Sequence, residues 1–237
     1  MILERKQRFN VPEIRSRMEQ VSAELGTDTF RGQQIVEYAE LEQVYSGAMR
    51  EISTKLENLD DEFQLKDRHN PIHHMECRLK SINSTIGKLR KRNLPLSVNA
   101  IKDNLYDIAG IRVICNYVQD VYKVADTLSQ QSDIEVVRVK DYIKNPKPNG
   151  YRSLHVIYSV PVFLSDGPHP TPVEVQFRTI AMDYWASLEH RLRYKNGLED
   201  EAKERHAATL RDCALQLATI EATMQNIHNE IGQPPVA

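Results

Sequence analysis

Cysteine is scarce and odd in number. The 237-residue chain has three, Cys77, Cys115 and Cys213, far apart in sequence. That argues against a disulfide framework and for reduced thiols in a cytoplasmic protein. Long apolar runs are missing too, so no segment has the roughly 20 apolar residues of a membrane-spanning helix. The first ten residues, MILERKQRFN, lack the apolar centre of a secretory signal. Net charge is nearly absent, at -2. The whole-molecule field therefore attracts neither nucleic acid nor membrane, and any polyanion site must be a local basic patch. No Walker A loop is present, so phosphate would be bound through side chains. No internal repeat or low-complexity tract stands out. HHMEC at 73–77 holds metal-ligating residue types, but a zinc site needs about four ligands and no second cluster follows.

Residues 30–60 contain no proline, and glycine only at 32 and 47. Tyr38, Leu41, Tyr45, Ala48 and Ile52 step by three and four, the spacing of a helical seam. NLDDEFQLKDRHNP (58–71) breaks the pattern, and Pro71 marks the expected start of a new helix over 73–92. NLPLSVN (93–99) reads as a loop. IRVICNYV (111–118) reads as a buried strand, QDVYKVADTLSQ as an amphipathic helix, and IEVVRVKDYI as another strand. Residues 151–164 and PVEVQFRT (172–179) read as an antiparallel hairpin with a longer loop around SDGPHP. A helix over 180–195 would place Ala181, Tyr184, Trp185, Leu188 and Leu192 on one face. A last helix over about 199–229 carries Leu210, Cys213, Leu217, Ile220, Met224 and Ile227 at steps of three and four, ahead of a frayed GQPPVA tail. This order predicts an α+β domain with a mixed β-sheet, flanked by N- and C-terminal helices.

Two local patterns carry chemistry. Side chains alternate faces along a strand, so Tyr151, Ser153 and His155 oppose Leu154, Val156, Tyr158 and Val160. On the partner strand, Glu174, Gln176 and Arg178 oppose Val173, Val175 and Phe177. Pairing the strands sets two polar faces side by side, which by itself also describes the wet face of an ordinary sheet. RLKSINSTIGKLRKR (78–92) has six cations and no acid. On a helix, Lys80, Ser84 and Lys88 would share a stripe suited to phosphate oxygens. The basic, proline-rich loop KNPKPNG (144–150) leads directly into Tyr151. Asp107 opens a buried strand, and Glu174 supplies a second carboxylate. Two carboxylates beside a phosphate-binding surface fit magnesium.

These segments, with YDIAGIRV (106–113), KPNGYRSLH (147–155), VEVQFRT (173–179) and WASLEHRLRYK (185–195), resemble the ordered motifs of the RelA/SpoT-type alarmone synthetase domain. The resemblance covers roughly residues 65–197. With no room for a separate hydrolase domain, it is to the stand-alone small synthetases. The chain is expected to divide into an N-terminal helical extension (1–60), which lies outside the resemblance, a synthetase domain (61–197) and a C-terminal oligomerisation helix and tail (198–237). The implied reaction moves a pyrophosphoryl group from ATP to the ribose 3′-hydroxyl of GDP or GTP, leaving AMP. By the same resemblance Arg78 and Arg112 sandwich adenine, and Lys80, Ser84 and Lys88 contact the ATP phosphates. Asp107 binds Mg2+, and Glu174 activates the 3′-hydroxyl, helps hold the metal, or both. Tyr151 stacks on guanine, while Lys147, Asn149, His155 and Gln176 belong to the acceptor site. A homo-oligomer, typically a tetramer, is implied, and an allosteric nucleotide is allowed. Two other readings stay open: a relative that pyrophosphorylates the tRNA 3′ end, and an inactive nucleotide- or RNA-binding module.

Overall fold

The computed structural model describes residues 33–66, 69–194 and 200–232, with isolated positions 12, 15, 16 and 19. The rest of the N-terminal extension, the Leu192 side chain and the tail after Gly232 lie outside the described residues. The elements are α1 (Gln33–Lys66), β1 (Ile72–Leu79), α2 (Ile82–Lys91), α3 (Val98–Asn104), β2 (Ala109–Cys115), α4 (Val118–Ser129), β3 (Glu135–Asp141), β4 (Leu154–Leu164), β5 (Gly167–Thr179), α5 (Ile180–Tyr194) and α6 (Asp200–Gly232). The strands form one sheet in the order β1-β2-β5-β4-β3. The fold is α+β, as the order of elements predicts.

By chain contacts the molecule divides into two compact units. One takes the described part of Met1–Ile52, with Cys77–Gly110 and Ser159–Glu174; the other takes Ser53–Glu76, Ile111–Tyr158 and Val175–Ala237. In the first, the expected seam Tyr38, Leu41, Tyr45, Ala48 and Ile52 is buried, together with Ile86, Leu89, Ile101, Val160, Val162 and Val173. Gly47 interrupts α1 at a cost of about 1 kcal/mol relative to alanine. The reason is contact: a Cβ there would lie 2.8 Å from Val162 Cγ1. In the second unit, Ile111, Val113, Ile114, Val121, Val124, Leu128, Val156, Tyr158, Val175 and Phe177 form the core.

Several boundaries differ from the sequence reading. The first helix does not stop near residue 60; it runs to Lys66. Leu56, Leu59 and Phe63 continue the three-four seam and are buried, while Asp61 is exposed. The expected helix over 73–92 is a strand followed by a shorter helix. Ile72, Met75 and Leu79 happen to be spaced like a helix face, but pairing with β2 decides the backbone. Ser81 then starts α2 as its N-cap, its hydroxyl accepting from the Ser84 N–H. Helix α3, capped by Ser97, occupies part of what read as loop. The β4–β5 hairpin turns tightly at Ser165 and Asp166, with Gly167 at φ +126. On α5, Met182, Trp185 and Ala186 are buried, whereas Tyr184 and Leu188 are exposed. On α6, Ala214 and Glu221 are buried; Ile220, Met224 and Ile227 are exposed.

Candidate active site

The first unit gathers a carboxylate and two lysines. Lys80 is not on the helix with Ser84 and Lys88, as the stripe supposed; it lies between β1 and the N-cap, and its N–H donates to the Ile108 carbonyl at 2.8 Å. Its side chain still reaches the expected region. Lys80 Nζ and Lys88 Nζ donate to Asp107 Oδ2 at 2.8 and 2.6 Å. Burial alone would raise the Asp107 pKa, but the two lysines outweigh it and hold the carboxyl below its ordinary range. Asp107 Oδ1 is buried and has no hydrogen-bond partner among the described residues. Nearby Tyr45 is pushed up to about 12, chiefly by burial and then by Tyr106 and Asp107, so it stays a neutral phenol.

Ser84 sits in the first turn of α2, its hydroxyl accepting from Ser81 Oγ at 2.9 Å. The basic run beyond it has a structural share. Lys88, Arg90 and Lys91 fill the last turn of α2, where cations complement the helix dipole. Arg92 donates to the Asn104 carbonyl at 2.9 Å, and Asn93 leaves the helix at φ 54. Arg78 is exposed on β1. Glu174 is half-buried on β5, between the fully buried Val173 and Val175. A Cβ on Gly110 of β2 would lie 3.6 Å from the Arg78 carbonyl and 3.9 Å from that of Glu174. Their two backbones therefore flank β2.

The second unit gathers rings and cations. Strand β4 begins only at Leu154, so Tyr151 and Ser153 precede it. Ser153 is fully buried and donates to the Phe177 carbonyl at 3.0 Å, so it leaves the polar face assigned to it. Tyr151 reaches that face from the loop. Its hydroxyl lies 2.7 Å from His155 Nε2 and accepts from Arg178 Nη2 at 2.7 Å. The same Arg178 nitrogen donates to Gln176 Oε1 at 2.9 Å, and Nη1 donates to Asp183 Oδ1 at 3.1 Å. Lys147 Nζ lies 4.5 Å from the ring centres of both Tyr142 and Tyr151. Tyr142 also meets His155 edge-on at 5.2 Å.

The loop that carries Tyr151 is tied at each end. Asp141 Oδ1 accepts from the Ile143 and Lys144 N–H groups, both at 2.9 Å. Gly150 N donates to the Lys147 carbonyl at 2.8 Å, and Lys147 N to the Tyr151 carbonyl at 3.1 Å. Gly150 has φ +92, a conformation that favours glycine, and packs against Ala214 and Trp185. Asn149 serves the loop itself: its Oδ1 accepts from Tyr151 N, and its Nδ2 donates to Glu189. Arg112, on β2, pairs with Glu76 at 2.7 Å and lies 3.5 Å from Asp183. Sequence reasoning missed Tyr142 and Asp183. Tyr142 adjoins the basic loop, which was a usable signal; Asp183 looked like any helix-opening acid.

The structure thus joins Lys80, Lys88 and Asp107 in one cluster and Lys147, Tyr151, His155 and Gln176 in another. Among the described residues no group of three or more His, Cys, Asp or Glu side chains could hold a metal ion. No helix among them is long and apolar enough to cross a membrane.

Both clusters lie within segments shared with known proteins. The family model described as "Region found in RelA / SpoT proteins" matches residues 77–199. The GTP pyrophosphokinase YwaC of Bacillus subtilis is 44% identical over 167 residues, which is 68% of this chain and 80% of that protein. Small alarmone synthetase 2 of Bacillus subtilis superposes with a TM-score of 0.72 at 37% identity, covering 82% of this chain and 99% of that one. Small alarmone synthetase 1 of the same organism, solved bound to its product pppGpp, gives 0.71 at 32% identity, with 80% and 95% covered. The chain belongs to the RelA/SpoT family, and its fold is that of the small alarmone synthetases.

Proposed function

We propose that the protein transfers a pyrophosphoryl group from ATP to the ribose 3′-hydroxyl of GDP or GTP. The observation that carries this reading is the Asp107 cluster. It offers two lysines to phosphate, beside a buried carboxylate oxygen that no group among the described residues satisfies. The solved relative with pppGpp bound supports the choice of acceptor.

The chain's groups divide the work as follows. By the family resemblance Arg78 and Arg112 are each assigned to adenine, which planar guanidinium groups suit. Lys80, Lys88 and the Ser84 hydroxyl hold the phosphates and offset charge as it builds. Tyr151 stacks on guanine. Lys147, Asn149, His155 and Gln176 orient the acceptor, Asn149 by shaping the loop. Asp107 Oδ1 would hold a magnesium ion, with Glu174 as the second carboxylate that the family resemblance assigns to it. When bound, that ion neutralises phosphate charge. Glu174 also suits proton acceptance from the 3′-hydroxyl. The bond from that oxygen to the β-phosphorus forms, the α–β bridge breaks, and the bridging oxygen leaves with AMP.

The protein is expected to work in the cytoplasm. Assembly as a homotetramer is part of the proposal. It is supported by the exposed apolar residues Ile220, Met224, Ile227 and Ile231 on α6. A monomer mass in light scattering at micromolar concentration would overturn it. Nucleotide chromatography tests the reaction. With magnesium, ATP and GDP or GTP, AMP should appear with a guanosine tetra- or pentaphosphate, and Asp107→Ala or Glu174→Ala should abolish both products. AMP formation only with deacylated tRNA would replace this acceptor. Tight GTP binding with no AMP from any acceptor would mark an inactive module.

A further inference from the structure

We propose that Asp183 is a positioning residue that couples the donor-base arginine to the acceptor clamp. The inference rests on assigning Arg112 to adenine and Tyr151 to guanine. Asp183 stands in the first turn of α5. Its side chain is 19% exposed and lies between two guanidinium groups. Oδ1 accepts from Arg178 Nη1 at 3.1 Å and lies 3.5 Å from Arg112 Nη1. Arg178 is only 7% exposed, and its other terminal nitrogen holds both Tyr151 and Gln176. Polar contacts therefore run without a gap from Arg112 through Asp183, Arg178 and Tyr151 to His155. Every link lies in one compact unit.

The guanidinium planes depend on these contacts. The Nε atoms of Arg112 and Arg178 are both buried and have no hydrogen-bond partner among the described residues, so the terminal nitrogens carry the orientation. Arg112 has a second acid, Glu76, but that side chain is 55% exposed. Without the Asp183 carboxylate, two like charges would face each other with one of them buried, an arrangement that relaxes by moving a ring or a guanidinium. Fixing Arg112 on a base thus fixes Arg178, and with it Tyr151. A carboxylate that only opened α5 would have no such effect on ligand binding.

Calorimetry tests this. GDP is titrated with and without a saturating non-hydrolysable ATP analogue, magnesium present throughout. The native chain should bind GDP at least about fivefold more tightly with the analogue, the lower end of ordinary coupling. In Asp183→Asn, which keeps the side chain's shape, that factor should fall to within about twofold of unity. In steady-state assays, KM for both nucleotides should rise more than kcat falls. Asp183→Glu should restore part of the coupling. Melting curves check that each variant is folded. Equal coupling in native protein and Asp183→Asn overturns the proposal, as does the absence of coupling in the native chain. Coupled binding without AMP formation would sink the transfer reaction and leave Asp183 in this role. Product formation without coupling would do the reverse.

Discussion

Replacing Asp107 with asparagine separates its structural role from its chemical one. The carboxylate receives two charge-assisted hydrogen bonds, from Lys80 at 2.8 Å and Lys88 at 2.6 Å. Such bonds are worth about 1.5–3 kcal/mol each when lost outright. The lysine side chains are 21% and 28% exposed, so water recovers part of that. Asparagine also keeps one carbonyl acceptor. The expected net loss is about 1–2 kcal/mol at neutral pH. At about 2–4 °C per kcal/mol for a chain of this size, melting should fall by roughly 2–8 °C. The pH dependence has a fixed sign. The Asp107 pKa is depressed in the fold, so its stabilisation is present above the ordinary carboxyl value of 3.8 and is lost as pH falls through the folded value. Native and variant melting temperatures should therefore converge in acid. Activity should fall by a factor of about 10² to 10³, the usual effect of removing one preorganised polar group from a reacting centre. Thermal melts across pH with parallel product assays measure both effects. Equal melting at neutral pH, or a gap that persists unchanged in strong acid, would refute the ion-pair argument. Activity within threefold of native would refute the role in transfer.

Other outcomes follow from particular contacts. Gly150→Ala puts a Cβ 2.9 Å from that of Ala214 and 3.2 Å from Arg211 Cα, at φ +92. It should cost about 2 kcal/mol or more in denaturant unfolding; a loss under about 0.5 kcal/mol would contradict the loop geometry. Tyr151→Phe keeps the ring but removes the hydroxyl that meets His155 and Arg178. Acceptor KM should rise about tenfold, roughly the worth of one charge-assisted bond, and ATP KM by a smaller factor as the coupling through Arg178 is lost. Equal rises in both KM values would place Tyr151 elsewhere in the reaction. Cys77 and Cys213 are exposed, whereas Cys115 is buried and its thiol pKa is raised, first by burial and then by Asp120. Mass spectrometry after brief alkylation should find two modified thiols; rapid labelling of Cys115 would contradict the core described here.

Periodicity located most helices and the central strands, because Tyr38 to Ile52 and Val173 to Phe177 follow the pitch of their own backbone. It failed at β1. The apolar residues of IHHMECRL are spaced three and four apart, and only pairing with β2 makes the segment a strand. It failed again at the end of α1, where the acids Asp60 and Asp61 suggested a stop while Leu59 and Phe63 kept the seam buried. Site chemistry was more legible than site geometry. Lys80 and Lys88 both meet Asp107, although Lys80 lies off the helix that carries Ser84 and Lys88. Tyr151 and His155 do meet, although one of them lies ahead of the strand. Long side chains and a tied loop bring them together from either backbone path. Asp183 could not be found from sequence, since its meaning depends on Arg178 five residues before it and on Arg112, far back in the chain, meeting at one carboxylate.

Following the β-phosphorus of ATP tests the central claim most directly. ATP radiolabelled at that atom is incubated with the protein, magnesium and GDP, and the nucleotides are separated. Pyrophosphoryl transfer predicts unlabelled AMP, with the label in a guanosine tetraphosphate. Label retained in ADP would mean ordinary phosphoryl transfer, and would contradict the mechanism built on Asp107, Lys80 and Lys88.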